Sequence, residues 1–429
     1  VRIGLAVDDH ARQRWGWGLG RSLGRILPAG REGKGQGRRA RQSHPSLHAP
    51  SIEPARPHPP IHWLVAYPPT EPERILIIRP SALGDVCRSV PVLAALRARW
   101  PDAAIDWLVQ DAFVGAIAAH PALTEAVPFP RRELSPLVRP DKLLAAFRWG
   151  LGLRRRRYDL VIDCQGLLRS GMMTRATGAP IRLGAADARE LAPLAYTRRV
   201  PARADLHAVD RMMALAQAAV DTFGAAEPIA APDMRLYTTP EARAEAERRL
   251  AAAEGAPVGV LAPTSRWPAK QWPDDRFAAL ASALLEGTDA AIAIVGGPGE
   301  ERQCEQTRAL ASSNPRVIDL VGRTGIAELM AIVQRSGLVV ANDSAVLHMA
   351  VGFDRPLVAL FGPTLKHLVG PYQRDADVLQ HERPSHPSAH KHAANASMMR
   401  TITADEAIGA ALARLGQPGL SRSSARTHA

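Results

Sequence analysis

The sequence predicts an α/β protein made of two doubly wound lobes, each built on a parallel sheet. Three observations carry this. Short apolar runs of β-branched residues and Leu recur along most of the chain, as fully buried strands require. Segments of helical spacing, roughly ten to fifteen residues long, alternate with them, which is the pattern of βαβ units. The alternation falls into two series joined near residues 225–255. Composition agrees: of 429 residues, 46% are apolar and only 5% aromatic. That mix favours helices packed on buried strands over an aromatic-rich sandwich.

The first series begins near Arg74. Residues 75–78 read as a buried strand, and 89–99 as a helix that stops at Pro101. Residues 105–109 and 160–163 read as further strands, the latter within YDLVIDCQG. Four arginines at 154–157 precede it; they read as a solvated helix end, or as a face toward an acidic acceptor. The second series follows a charged helix at 241–253. Its strands are read at 258–262, 291–295, 317–320, 338–340 and 357–360, with helices at 277–285 and 403–415. Ligands of such sheets bind beyond the carboxyl ends of the strands, where the most distinctive loops of this chain lie.

The resulting division is a head at 1–70, an N-terminal lobe at 71–235, a C-terminal lobe at 236–416 and a tail at 417–429. The head is rich in Arg, Gly, Pro and His and lacks apolar periodicity. It cannot bury enough surface to offset its ordering entropy and is read as disordered, as is the polar tail. A basic arm for anionic lipid or nucleic acid is one reading of the head. The favoured one is an upstream-extended translation start, since the chain opens on Val1. The formal charge is +12, and the first seventy residues hold eleven Lys or Arg against four Asp or Glu. More than half of the excess is therefore in the head, and no nucleic-acid partner is expected for the folded part. Cys87, Cys164 and Cys304 are far apart in sequence and form no metal-binding spacing. They read as small apolar side chains in a reducing compartment. No run of 18 apolar residues appears, so no transmembrane segment is expected.

Three loops carry chemistry. Asp85 follows the first strand in RPSALGDVCRSVP. It is either a helix cap or a carboxylate that takes a proton from a sugar hydroxyl. Thr264, Ser265 and Arg266, with Lys270, follow the first strand of the second lobe. Hydroxyls, backbone N–H groups and cations there suit a diphosphate, though an ordinary surface loop has the same composition. Asp343 and Ser344 open a helix that carries His348; the helix start is an anion site, and the histidine is otherwise a satisfied structural residue. The segment GGPGEE does not match the dinucleotide fingerprint, and Glu300 within it is a candidate for ribose hydroxyls. Asp375 and Asp377 have D-x-D spacing but sit in a late polar loop and are read as surface, with no metal site.

Taken together, these motifs resemble the lipopolysaccharide heptosyltransferases, glycosyltransferase family 9. The shared pieces are ILIIRPSALGDVCRSVPVLAALR, YDLVIDCQGLLRSG, the RELA stretch from Arg189, SRWPAKQWP, VVANDSAVLHMA and LFGPT. The resemblance runs from about Arg74 to Tyr372 and implies the GT-B fold, two Rossmann-like lobes facing across a cleft. It implies an inverting transfer, without metal or other cofactor, in which the nucleotide sugar is a substrate. The donor would be ADP-heptose, and the acceptor a lipid-linked saccharide of the Kdo/heptose–lipid A type at the membrane surface. It places the base at Asp85. The donor contacts fall at Thr264, Ser265, Lys270, Asp343 and His348. The acceptor contacts fall at Asp163, Gln165, Arg169 and Arg189. A cytoplasmic protein, peripheral at the inner face of the cytoplasmic membrane, is the matching location. One departure stands out. The family writes glycine where this chain has Ala345, and a Cβ there crowds the diphosphate if the glycine serves close approach or positive φ. The competing readings are a GT-B enzyme with another nucleotide sugar and a non-catalytic sugar-nucleotide-binding relative. An NAD-dependent oxidoreductase is a more distant third. The segment 381–398 reads as irregular and diverged.

Overall fold

The computed structural model describes residues 71–134, 139–224 and 227–415, all within one compact unit. The head and tail expected to be disordered lie outside the described residues. The N-terminal lobe is built on strands β1 (Arg74–Ile78), β2 (Ala104–Gln110), β3 (Glu125–Phe129), β4 (Leu160–Asp163), β5 (Ile181–Ala185) and β6 (Arg198–Val200). Its helices are α1 (Leu83–Arg99), α2 (Pro140–Arg155), α3 (Leu168–Thr177) and α4 (Ala208–Thr222). The C-terminal lobe has β7 (Val258–Ala262), β8 (Ala291–Ile294), β9 (Val317–Asp319), β10 (Leu338–Asn342), β11 (Leu357–Leu360) and β12 (Val378–Leu379). Its helices are α5 (Pro240–Arg249), α6 (Asp274–Gly287), α7 (Glu305–Ala309), α8 (Ile326–Arg335), α9 (Ala345–Gly352), α10 (Lys366–Val369), α11 (Ser397–Arg400) and α12 (Ala404–Arg414).

The two sheets share one topology. The first is ordered β3-β2-β1-β4-β5-β6, and the second β12-β11-β10-β7-β8-β9. Counted from each lobe's first strand, both are 3-2-1-4-5-6, all parallel. The central strands are buried along their length, β4, β7 and β10 at every residue, because helices cover both faces. The order reverses between β1 and β4 and between β7 and β10, where the loops part and leave a crevice. Every motif loop that drew attention in the sequence leaves a strand at one of these points or beside it.

The first helix begins at Leu83, six residues before its expected start, so Asp85 lies in its first turn. Pro91 sits inside this helix; it is buried and lacks the N–H that an interior residue normally donates. The lobes touch through backbone at two glycines. A Cβ on Gly84 would lie 2.9 Å from Cδ2 of His348 and 3.4 Å from Cα of Ala345. A Cβ on Gly115 would lie 2.9 Å from the amide nitrogen of Ala327 in α8. All three cysteines are buried and unpaired, and burial pushes each thiol up to about 12.

Candidate active site at the neck between the lobes

Asp85 keeps 26% of its side chain open but is held on three sides. Arg79 approaches one carboxylate oxygen at 2.9 Å, the Ala82 amide donates to that same oxygen at 3.3 Å, and Arg88 pairs with the other. Burial would raise the carboxyl, but the two guanidiniums outweigh it and hold the group well below the usual carboxylate range. Asp85 thus accepts the Ala82 amide at the head of its helix, and the two arginines favour its ionised form. Arg88 is buried and also donates to the Val369 carbonyl of the other lobe at 3.1 Å, so it ties the carboxylate to both lobes. Sequence reading missed both arginines. Arg88 had a signal, since three residues along a helix puts it on the face of Asp85.

Across the neck lies the start of α9. His348 is 4% exposed. Burial first, then the nearby Arg88, keep its ring from protonating. Its Nδ1 has no partner among the described residues, and neither have the buried hydroxyls of Ser344 and Thr364. Ser344 caps α9, His348 lies within it and Thr364 follows β11; buried polar atoms left so take water or a ligand as partner. Lys270 reaches across from the loop after β7 and binds Asp343 at 2.6 Å, so two expected donor contacts meet each other. Asn342 builds this arrangement. Its side-chain oxygen accepts the Trp272 amide at 3.1 Å and its nitrogen donates to the Pro263 carbonyl at 2.7 Å, stapling the β7 and β10 loops together.

Thr264 and Ser265 are buried in the β7 loop. The Ser265 amide, expected to face a diphosphate, instead donates to Gln303 at 3.0 Å, and Gln271 binds the Ser265 carbonyl at 2.8 Å. Those two glutamines frame the loop and were not foreseen. Arg266 is exposed. Glu300 accepts the Gly297 amide at 2.7 Å and so closes its own turn. Ala345 is the first residue of α9 and is not among the residues with positive φ. A glycine is therefore not needed there for backbone conformation.

The acceptor-side candidates divide. Asp163 is 1% exposed, and its oxygens take the Gln165 and Gly166 amides and the hydroxyls of Ser170 and Tyr196. Its carboxyl group holds the loop after β4 from inside the protein, and the residue also lines the pocket of Gln165 and Arg189. Gln165 accepts the Ser81 amide at 3.2 Å, linking that loop to the Asp85 loop. Gln165 and Arg189 line one pocket of about 270 Å³ with Arg79 and Arg211. Arg169 lies instead on an apolar groove between α2 and α3. Asp377 is not a free surface group as expected: Arg374 grips it at 2.5 Å and Arg414 at 3.2 Å.

Two Rossmann-like lobes with a carboxylate on one side of their neck and a cation with a helix start on the other define a GT-B glycosyltransferase architecture. The profile of glycosyltransferase family 9 (heptosyltransferase) matches residues 146–398, and the chain belongs to that family. The match takes in 381–398, which the sequence alone marked as diverged. Lipopolysaccharide heptosyltransferase 1 of Pseudomonas aeruginosa is 30% identical over 329 residues, 74% of this chain and 86% of that protein. The solved ADP-heptose lps heptosyltransferase II of E. coli superposes with a TM-score of 0.65 at 22% identity, covering 80% of this chain and 98% of that one. The E. coli heptosyltransferase WaaC with ADP-2-deoxy-2-fluoro heptose gives 0.60 at 23% identity, covering 78% and 97%. No helix among the described residues is long and apolar enough to cross a membrane.

Proposed function

We propose that the protein moves heptose from ADP-heptose, with inversion, to a saccharide of a lipid-linked lipopolysaccharide core acceptor at the membrane surface. The observation that carries this is the neck itself: an ionised, partly open carboxylate on the N-terminal lobe faces unsatisfied polar atoms on the other lobe, close to Lys270. The family membership and the heptosyltransferase names of its relatives support the choice of sugar. The acceptor oxygen bonds to the anomeric carbon as the bond from that carbon to the diphosphate breaks. The leaving ADP takes the electron pair, and the hydroxyl proton passes to Asp85. Lys270 and the head of α9 stabilise the charge that grows on the diphosphate. Because Arg79 and Arg88 make Asp85 a weak base, the proton moves late, when the attacking oxygen has become strongly acidic. The protein's own cations neutralise the leaving group, and no metal enters the proposal; transfer should persist undiminished in EDTA.

The test offers purified protein ADP-, UDP- and GDP-sugars with a core acceptor and follows nucleotide release and product mass. A heptosylated product from ADP-heptose is the expected result. Product from a different nucleotide sugar alone overturns the donor. Tight nucleotide binding without product would identify a binding protein.

A further inference from the structure

We propose that the outer face of the N-terminal lobe, formed by α2, α3 and the turn at Ala192–Ala195, docks on an anionic lipid surface. The inference rests on the reading that the acceptor is lipid-linked, and it names the part of the molecule that meets the lipid. Helix α2 packs Trp149 and Leu153 inward. It nevertheless carries a second apolar stripe at Leu143, Phe147 and Leu151, which are 59%, 63% and 38% exposed. The spacing of four places these on one line of the helix. Met172 of α3 continues the face at 57%, and Leu191 and Leu194 extend it at 69% and 70%. Leu191 holds its outward place in the left-handed region, φ 65°, directly after Glu190 at φ 56°. Two successive non-glycine residues in that region are costly, and such strain is kept where it serves something.

Charge selects the occupant. Between residues 139 and 157 there are seven Lys or Arg against one acidic residue, Asp141, and Asp141 is paired with Arg139. Apolar residues rimmed by cations of one sign match the interfacial boundary of an anionic bilayer, where long basic side chains reach the headgroups. They do not match a second copy of the chain, because a two-fold contact would set the same arginines against each other. The position also fits. The polar pocket of Gln165 and Arg189 and the apolar groove of Arg169, Phe147 and Met172 are joined by the segment 165–169, which lines one at Gln165 and the other at Arg169. An amphiphile with a sugar head and acyl tails meets both from one side.

Full-length protein and Phe147→Glu are sedimented with phosphatidylcholine vesicles, with and without phosphatidylglycerol, and assayed with vesicle-embedded and deacylated, water-soluble acceptors. Phe147 is exposed and outside the neck, and an unchanged melting temperature verifies the fold. Wild type should bind the anionic vesicles and release in high salt. The variant should bind at least about tenfold more weakly. It should lose a similar factor on embedded acceptor and nothing on soluble acceptor. Equal vesicle binding by both proteins overturns the proposal, as does a Phe147→Glu effect confined to self-association in sedimentation velocity. The two readings fail separately. Vesicle binding without transfer from ADP-heptose leaves the docking face standing and sinks the donor; transfer without vesicle binding does the reverse.

Discussion

Asp85 was legible as a candidate from its place after a strand, but its electrostatics were not. The arginines that set its charge state lie six residues before and three after, and only the folded loop brings Arg79 round. Asp85→Asn should slow transfer by roughly 10²–10⁴-fold while nucleotide affinity stays close to wild type. A fully active, folded Asn variant would leave only the cap. Arg88→Gln removes one of the charges that depress the carboxyl, so the acid limb of the transfer rate should move to higher pH; an unmoved limb would show that Asp85 does not govern it. Lys270→Ala should weaken ADP binding, since an ammonium lost beside a diphosphate takes charge-assisted hydrogen bonds with it. Unchanged affinity would mean that the Asp343 pair serves structure alone. Asp163 was the residue most easily misread, because a buried acid at a strand's end reads the same whether it faces ligand or loop.

At the scale of elements, periodicity served well for the strands at the middle of each sheet. The cores of β1, β4, β7 and β10 are uninterrupted apolar runs, and all were recognisable. The edges were not. Strand β3 contains Pro128, which breaks the apolar run and is tolerated because this strand borders only β2. Strands β6 and β12 have three and two residues, too short to show any period. The head of α1 was hidden by Gly84, a poor helix former that sits there because His348 comes so close. Ala345 shows the opposite case. A substitution that looked disabling in sequence opens α9 in ordinary helical geometry, so Ala345→Gly should leave the transfer rate within a few-fold and lower helix stability slightly. A gain of tenfold or more in the Gly variant would show that the methyl group crowds the donor.

At the scale of the whole molecule, both lobes bury a neutral histidine. His120 lies in the N-terminal lobe with its ring edge-on to Tyr237 at 4.8 Å, and burial lowers it to about 4. His348 is lowered too. Below the ordinary value of 6.5 the unfolded chain takes up protons that the folded chain refuses, so stability is full above that value and falls between 6.5 and 4. Asp85 acts at lower pH: its carboxyl is lowered in the fold, so its contribution is full above the ordinary value of 3.8 and is lost progressively in acid below it. Melting temperatures should therefore drop from pH 7 to 4.5, and less steeply in His120→Gln; a flat profile in wild type would contradict this. The two glycines between the lobes have a further consequence. At Gly84 and Gly115 the clearance between the lobes is smaller than one methyl group. Gly84→Ala is then a wedge set between the lobes, pressed on His348 and Ala345 at the head of α9. The variant should turn over about a hundredfold more slowly and, because its methyl group presses on the head of α9, hold its donor less tightly; wild-type turnover would show that one more carbon atom fits there after all.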